Sequence, residues 1–330
     1  MFISYAQNFE DVILWRALKH VEQGFYIDIG AQDPMIDSVS RGFYEKGWRG
    51  LHVEPTATYA QKLRDDRPDD EVVQAAIGNG RKEITFFEIP GTGLSTGEPT
   101  IAETHKATGA VIVETIVPLM PLSELFERIA PREIHWLKID VEGMEQSVLE
   151  SWLPSTARPW IVVVEATSPN SQIPTHESWE PTLLGFGYEF VHFDGLSRYY
   201  LALDRMHLRN SFGVGPNIFD DFAISGTAQT TVASVLNKRI DELERDKNEI
   251  SGLLSKKEDH ILYLTRENAE NSEIISRLFD DISNIEENVR KAEEKICDRD
   301  LKLGDIYQSF SWRVTAPYRA VSKFLKYYRW

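Results

Sequence analysis

The sequence predicts an α/β fold: a doubly wound, largely parallel sheet with an antiparallel C-terminal hairpin, followed by a long α-helical coiled coil. Three observations carry this. Short apolar runs alternate with helical patterns over residues 1–224. Those runs are apolar throughout, as in strands covered on both faces. Between Gly226 and Tyr307 there is no proline, and glycine occurs only at Gly252 and Gly304, which suits one long helix.

In chain order, residues 8–19 place Phe9, Val12, Ile13, Trp15 and Leu18 at helical spacing. FYIDIG (25–30) is a strand carrying Asp28 at its end, and GLHVEP (50–55) a second ending at Glu54. Helices are expected near 38–46 and from Tyr59 to Leu63. VVQAAIG (72–78) and ITFFEI (84–89) are the third and fourth strands, and GTGLSTGEPT (91–100) is a loop by its glycine, serine and threonine content. Leu122–Ile129 is helical, IHWLKID (134–140) is a strand ending at Asp140, and EGMEQSVLESW gives another helix. WIVVVEA (160–166) ends at Glu165, and YEFVHFDGLSRYYLAL (188–203) is a hairpin about Asp194 and Gly195.

Residues 225–305 fit a heptad. Positions a run Ile240, Lys247, Leu254, Ile261, Asn268, Ile275, Ile282, Val289, Ile296 and Leu303, and positions d run Leu236, Leu243, Ile250, Lys257, Leu264, Asn271, Leu278, Ile285, Ala292 and Arg299. Asn268 and Asn271 fall in the seam, where they select register at some cost in stability. Self-association through this element is the direct implication. Residues 306–330 hold five basic side chains and no acid, with Val314, Val321, Phe324, Leu325 and Tyr328 near one helical face. That pattern suits an anionic membrane surface, docking on an acidic partner such as a glycosyltransferase, or capping of the acidic coil.

The chain of 330 residues has 36 Lys+Arg against 52 Asp+Glu, a net charge of −16, which disfavours a dedicated nucleic-acid binder. The single cysteine, Cys297, excludes an internal disulfide and a cysteine zinc site, and suits a reducing cytosol. Glu10 and Asp11 near the start argue against a signal peptide, and no run is long enough for a membrane span. A cytoplasmic protein, peripheral to an inner membrane through its tail, is expected.

In doubly wound sheets, ligands bind outside the carboxyl ends of the strands. Asp28, Glu54, Asp140 and Glu165 all fall there. Glu54 lies 24 residues after Gly30 (54 − 30), a spacing at which an acid accepts hydrogen bonds from two ribose hydroxyls. The turn Gly30-Ala31-Gln32-Asp33-Pro34 lacks the second and third glycines of a diphosphate-binding loop. A ribose without a diphosphate points away from NAD and toward S-adenosylmethionine.

FYIDIGAQDP, GWRGLHVEP, AAIG, GLST and LKIDVEGME, in that order, resemble the FkbM family of S-adenosylmethionine-dependent methyltransferases, and SYAQNFEDVILWRAL is similar to an N-terminal segment found in a branch of it. The resemblance covers about residues 4–205, with Lys138-Ile139-Asp140-Val141-Glu142-Gly143 its most specific piece, and implies a class I, Rossmann-like methyltransferase fold. It implies that Asp28, Gly30 and Ala31 form the first cofactor loop and Glu54 holds the ribose. Ala75 and Ala76 then lie by the adenine, and Gln7, Asn8 and Asp11 close over the cofactor. Asp140 lies beside the methyl group and acceptor with Glu142 as its partner, and Lys138 points into the site or pairs with an acid. Asp33-Pro34 departs from the small residues usual in that turn. The coiled coil lies outside the family domain, and SWRVTAP (311–317) is similar to tails on enzymes of bacterial surface-polysaccharide assembly.

The expected reaction is O-methylation of a sugar hydroxyl of a surface glycan such as an O-antigen or capsule. A carboxylate in reach of the hydroxyl serves as base. Alternatively, Asp140 and Glu142 hold Mg²⁺ that orients and acidifies it. No histidine falls in a metal-ligand spacing; His105 is a candidate substrate contact, while His135 and His192 lie within strands. Trp48, Trp136, Trp160 and Trp179 suit core packing better than sugar stacking. Rival readings are a coiled-coil scaffold with little catalysis, a natural-product O-methyltransferase, and a sugar oxidoreductase or epimerase that the missing glycines disfavour.

Overall fold

The computed structural model describes residues 1–80, 82–228, 231–267, 282–296 and 299. Met1–Gln229 form one compact unit and a second begins at Thr230. The strands of the first unit are β1 (Phe2–Ser4), β2 (Phe25–Ile29), β3 (Arg49–Val53), β4 (Glu71–Val73), β5 (Ala76–Ile77), β6 (Glu83–Glu88), β7 (Val113–Met120), β8 (Trp136–Ile139), β9 (Ile161–Glu165), β10 (Tyr188–Phe193), β11 (Ser197–Ala202) and β12 (Phe222–Ile224). Its helices are α1 (Glu10–Leu18), α2 (Arg41–Glu45), α3 (Ala57–Asp66), α4 (Pro99–Ala107), α5 (Leu122–Ile129), α6 (Glu145–Glu150) and α7 (Glu180–Gly185).

The main sheet has seven strands in the order β10-β11-β9-β8-β2-β3-β4. β4, β3, β2, β8 and β9 are parallel. β11 runs against β9, and β10 runs against β11, so β10 points the same way as the parallel strands. The hairpin therefore adds one antiparallel strand, β11, rather than two. The period of two along β2 buries Ile27 in one layer, with Leu51, Leu137 and Val162, and Tyr26 in the other, with Trp48, Trp136 and Val163. Trp48, Trp136 and Trp179 are core residues, as their apolar neighbours suggested.

Three expectations need correction. The run 72–78 is not one strand: β4 pairs with β3, whereas β5 pairs with β7 in a separate three-stranded sheet, β5-β7-β6. β7 itself had no expected counterpart: Pro118 sits inside its apolar run, which argues against a strand, and only Val117 of VETIVPLM is buried. The loop 91–100 is shorter than expected, since α4 starts at Pro99, in the first turn where proline is tolerated. β1 and β12 form a further small parallel pair that draws the chain start to residues 222–224.

The second unit begins with helix α8 (Thr231–Glu267), and residues 282–296 are also helical. The expected coiled-coil positions 268–281 and 300–305, and the basic tail 306–330, lie outside the described residues. Among the described residues, no helix is long and apolar enough to cross a membrane.

The winding leaves a crevice. From β2 the chain proceeds to β3 and β4 on one side, then returns to β8 and β9 on the other. β2 and β8 are the strands at which the order reverses, and their carboxyl ends are where such sheets bind ligands. Gly30 closes this point with φ of 81°, and a Cβ there would lie 1.8 Å from the Asp140 carbonyl oxygen. Gly30→Ala should therefore lower stability by about 2 kcal/mol or more, read from urea unfolding of the full chain.

Candidate active site

A cavity of 380 Å³ opens at the carboxyl ends of β2, β3 and β8. Its volume lies within the ordinary range for small-molecule sites. Gln7, Asp28, Gly30, Ala31, Glu54, Ala75, Ala76, Lys138, Asp140 and Glu142 all line it, so ten of the twelve residues the resemblance places in the site converge. Asp11 and Asn8 are the exceptions; Asp11 is held elsewhere. Its carboxylate turns away and accepts hydrogen bonds from Ser4 Oγ at 2.7 Å, Tyr5 N–H at 2.7 Å and Ala6 N–H at 3.2 Å. It secures the segment after β1 rather than the cavity, because those two backbone donors would otherwise be orphaned. Asn8 is likewise occupied elsewhere, donating to the Asp194 carbonyl.

The first loop is built from below. Ser40 Oγ donates to Asp28 Oδ2 at 2.6 Å, while Asp28 Oδ1 is buried with no hydrogen-bond partner among the described residues. Arg67, wholly buried, donates to Ser40 Oγ, Ser38 Oγ and the Pro34 carbonyl, tying the loop to the end of α3. Asp33 stands where a small residue was expected because it caps its own turn: Oδ1 accepts from Met35 and Ile36 N–H, and Lys62 pairs with Oδ2.

Glu54 is pinned. Gln32 N–H donates to one of its oxygens at 3.0 Å and Thr56 N–H to the other at 2.8 Å. A carboxylate offers about four acceptor sites, so two remain for a ligand. Burial raises its proton affinity, and the Thr56 and Gln32 hydrogen bonds oppose that rise.

At the end of β8, Lys138 Nζ donates to Asp140 Oδ2 at 2.5 Å. Burial works against the lysine charge, but the carboxylates of Asp140, Asp28 and Glu10 outweigh it and hold its pKa above the usual value. The chain then curls through Glu142 at φ 49° and Gly143 at φ 99°. Thr96 Oγ1 donates to the Glu142 carbonyl at 2.7 Å, fixing the 91–96 loop, whose Gly91–Ser95 line the cavity. Oxygens of Asp140, Glu142 and Glu165 lie within 4.8 Å of one another. Burial, then the Asp140 and Glu145 charges, push Glu142 up to about 8.

Several lining residues carried no expected site role. Glu10 reaches the cavity from the first turn of α1, and Gln32, Thr56 and Asn170 also line it. A first-turn acid reads in sequence as a helix-dipole partner, which hid Glu10. His105 is buried but does not line the cavity, and His135 accepts from Phe25 N–H within the core.

Burial and the nearby Asp194 push Glu10 up to about 8. A carboxyl with a raised folded-state pKa adds stability below its unfolded value, and that stability is lost as pH rises through the folded value. The melting temperature should fall between pH 5 and pH 9 with Glu10 contributing. Glu10→Gln should flatten this slope and be more stable than the parent by at least about 1 kcal/mol at pH 9, measured by thermal melts across that range.

Residues 28–190 match the Methyltransferase FkbM domain model. Among solved structures, the chain is similar to a TehB-like SAM-dependent methyltransferase from Corynebacterium glutamicum, at 8% identity and a TM-score of 0.32, covering 58% of this chain and 87% of that one. No curated protein matches. The strand-end acids and most of the cavity lining lie inside the matched span, and residues 28–190 are a methyltransferase domain similar to the FkbM domain.

Proposed function

We propose that the protein transfers a methyl group from S-adenosylmethionine to a hydroxyl of a sugar in a bacterial surface polysaccharide. The observation that carries this reading is one cavity with a pinned, half-satisfied carboxylate at one wall, Glu54, and a cluster of strand-end carboxylates at another, Asp140 and Glu142. Glu54 has the spare acceptor sites that two ribose hydroxyls need. Asp28, with an unpartnered buried oxygen, faces the polar end of the cofactor beside Gly30 and Ala31. Ala75 and Ala76 leave room for the adenine, and Gln7 covers it from the start of the chain.

S-adenosylmethionine supplies a methyl on sulfur; transfer breaks the S–C bond, forms an O–C bond and leaves a neutral thioether. The residues of the chain align acceptor and donor, which supplies much of the rate. A sugar hydroxyl is a weak nucleophile and must lose its proton as the bond forms. The Asp140 carboxylate, with Glu142 beside it, receives that proton. Lys138 holds Asp140 in place and offsets its charge. The sugar acceptor rests on the similarity of the SWRVTAP tail to tails on enzymes of surface-polysaccharide assembly. The heptad positions of residues 225–305 pair copies of the chain, and the basic tail docks at the membrane or on a glycosyltransferase where lipid-linked glycans are assembled.

Calorimetry with the full chain should give micromolar S-adenosylmethionine binding, and Glu54→Ala should weaken it by about 2 kcal/mol through the lost ribose contacts. Absence of binding by folded protein would contradict the reading. Asp140→Asn should bind cofactor as the parent does yet lose about 10²–10⁴-fold in turnover on an acceptor glycan, which separates proton removal from binding.

A further inference from the structure

We infer that Asp140, Glu142 and Glu165 form a binding site for a hard divalent cation at the junction of β8 and β9. It deepens the proposed reading of this cavity and rests on that reading only for the cation's role, not for its binding. The three side chains come from different places, the end of β8, the turn after it and the end of β9, yet one oxygen of each lies within 4.8 Å of the others. Opposite oxygens around Mg²⁺ stand about 4.2 Å apart, and around Ca²⁺ about 4.6–5.2 Å, so the cluster has the span of one coordination shell.

Acids gather on many surfaces without a metal, and the second observation is what distinguishes this group. Glu142 is only 8% exposed, lines the cavity, and its Oε2 has no hydrogen-bond partner among the described residues. A buried carboxylate oxygen without a donor carries its full desolvation penalty. Among the described residues, no lysine, arginine or histidine is paired with Glu142 or Glu165; Lys138 pairs with Asp140 alone. Its single charge leaves the three carboxylates with an excess of negative charge when all are ionised. The turn is also held for this purpose: Glu142 sits at φ 49°, Gly143 follows at φ 99°, and a Cβ at Gly143 would meet Ile101 at 2.3 Å. All three ligands are carboxylates, which selects Mg²⁺, Mn²⁺ or Ca²⁺ over softer metals. Bound beside the acceptor, the cation would polarise a hydroxyl and neutralise the site, leaving the oxygens it does not ligate to take the proton.

The test is a titration of the full chain with Mn²⁺, free ion being read by electron paramagnetic resonance, in the absence of cofactor and acceptor. A single Mn²⁺ site is expected, with Kd at or below ~1 mM, displaced by Mg²⁺. Glu165→Gln and Glu142→Gln should each weaken it by about tenfold or more. Both amides keep the shape of the carboxyl, and circular dichroism checks that the variants fold. No Mn²⁺ site in folded protein, or a site of equal affinity in both variants, would overturn the inference. Mn²⁺ binding by a chain that fails to bind S-adenosylmethionine would overturn the proposed function and leave the cation site standing.

Discussion

The close approach of two backbones, at Gly30 and Asp140, is the constraint on which the site depends. The Asp140 N–H donates to the Ile29 carbonyl, and Gly30 N–H donates to the Val53 carbonyl. These bonds continue the β2 ladders past the last strand residue and bring the ends of β2, β3 and β8 level. Only a residue without Cβ fits, because the Asp140 carbonyl occupies the place a side chain would take. With the three ends level, Asp28, Glu54 and Asp140 open onto one crevice. Any shift in the register of β8 would move its side chains to the other face of the sheet and dissolve the site.

The second organising feature is charge. The cavity is lined by Glu10, Asp28, Asp37, Glu54, Asp140, Glu142 and Glu165, with Lys138 as the one lysine or arginine among its lining residues. Burying this many carboxylates is unfavourable, and a folded chain keeps them only where they are hydrogen-bonded, protonated or matched by a cationic ligand. Glu54 takes the first route through backbone donors, and Asp28 in part through Ser40. Glu10 takes the second, and Glu142 does so when no cation is bound. A sulfonium cofactor and a divalent ion both belong to the third, and the same excess of negative charge disfavours anionic acceptors at this cavity.

Much of this was legible in the sequence, for an identifiable reason. An apolar strand that stops at an acid marks both a boundary and a residue at the ligand-binding edge, so Asp28, Glu54 and Asp140 could be placed before the topology was known. What escaped were residues whose role depends on the tertiary path. Arg67 sits in RDDRPDD, which reads as a solvated charge run, and only the return of α3 beneath the first loop buries it against Ser38 and Ser40. Neighbouring positions on α1 are turned by about 100°, so Glu10 faces the cavity while Asp11 faces β1. β7 was missed because Pro118 falls inside its apolar run, a residue that argues against a strand. The run 72–78 looked continuous because both of its halves are strands, though they belong to different sheets.

The most direct test of the account is a crystal structure of the full chain with S-adenosylhomocysteine. The ribose hydroxyls are expected on Glu54, the adenine beside Ala75 and Ala76, and the sulfur on the side of Lys138 and Asp140. Density for the ligand in that orientation would establish the cavity as the methyl-transfer site. A ligand bound elsewhere, or bound with Glu54 facing no ribose, would contradict it.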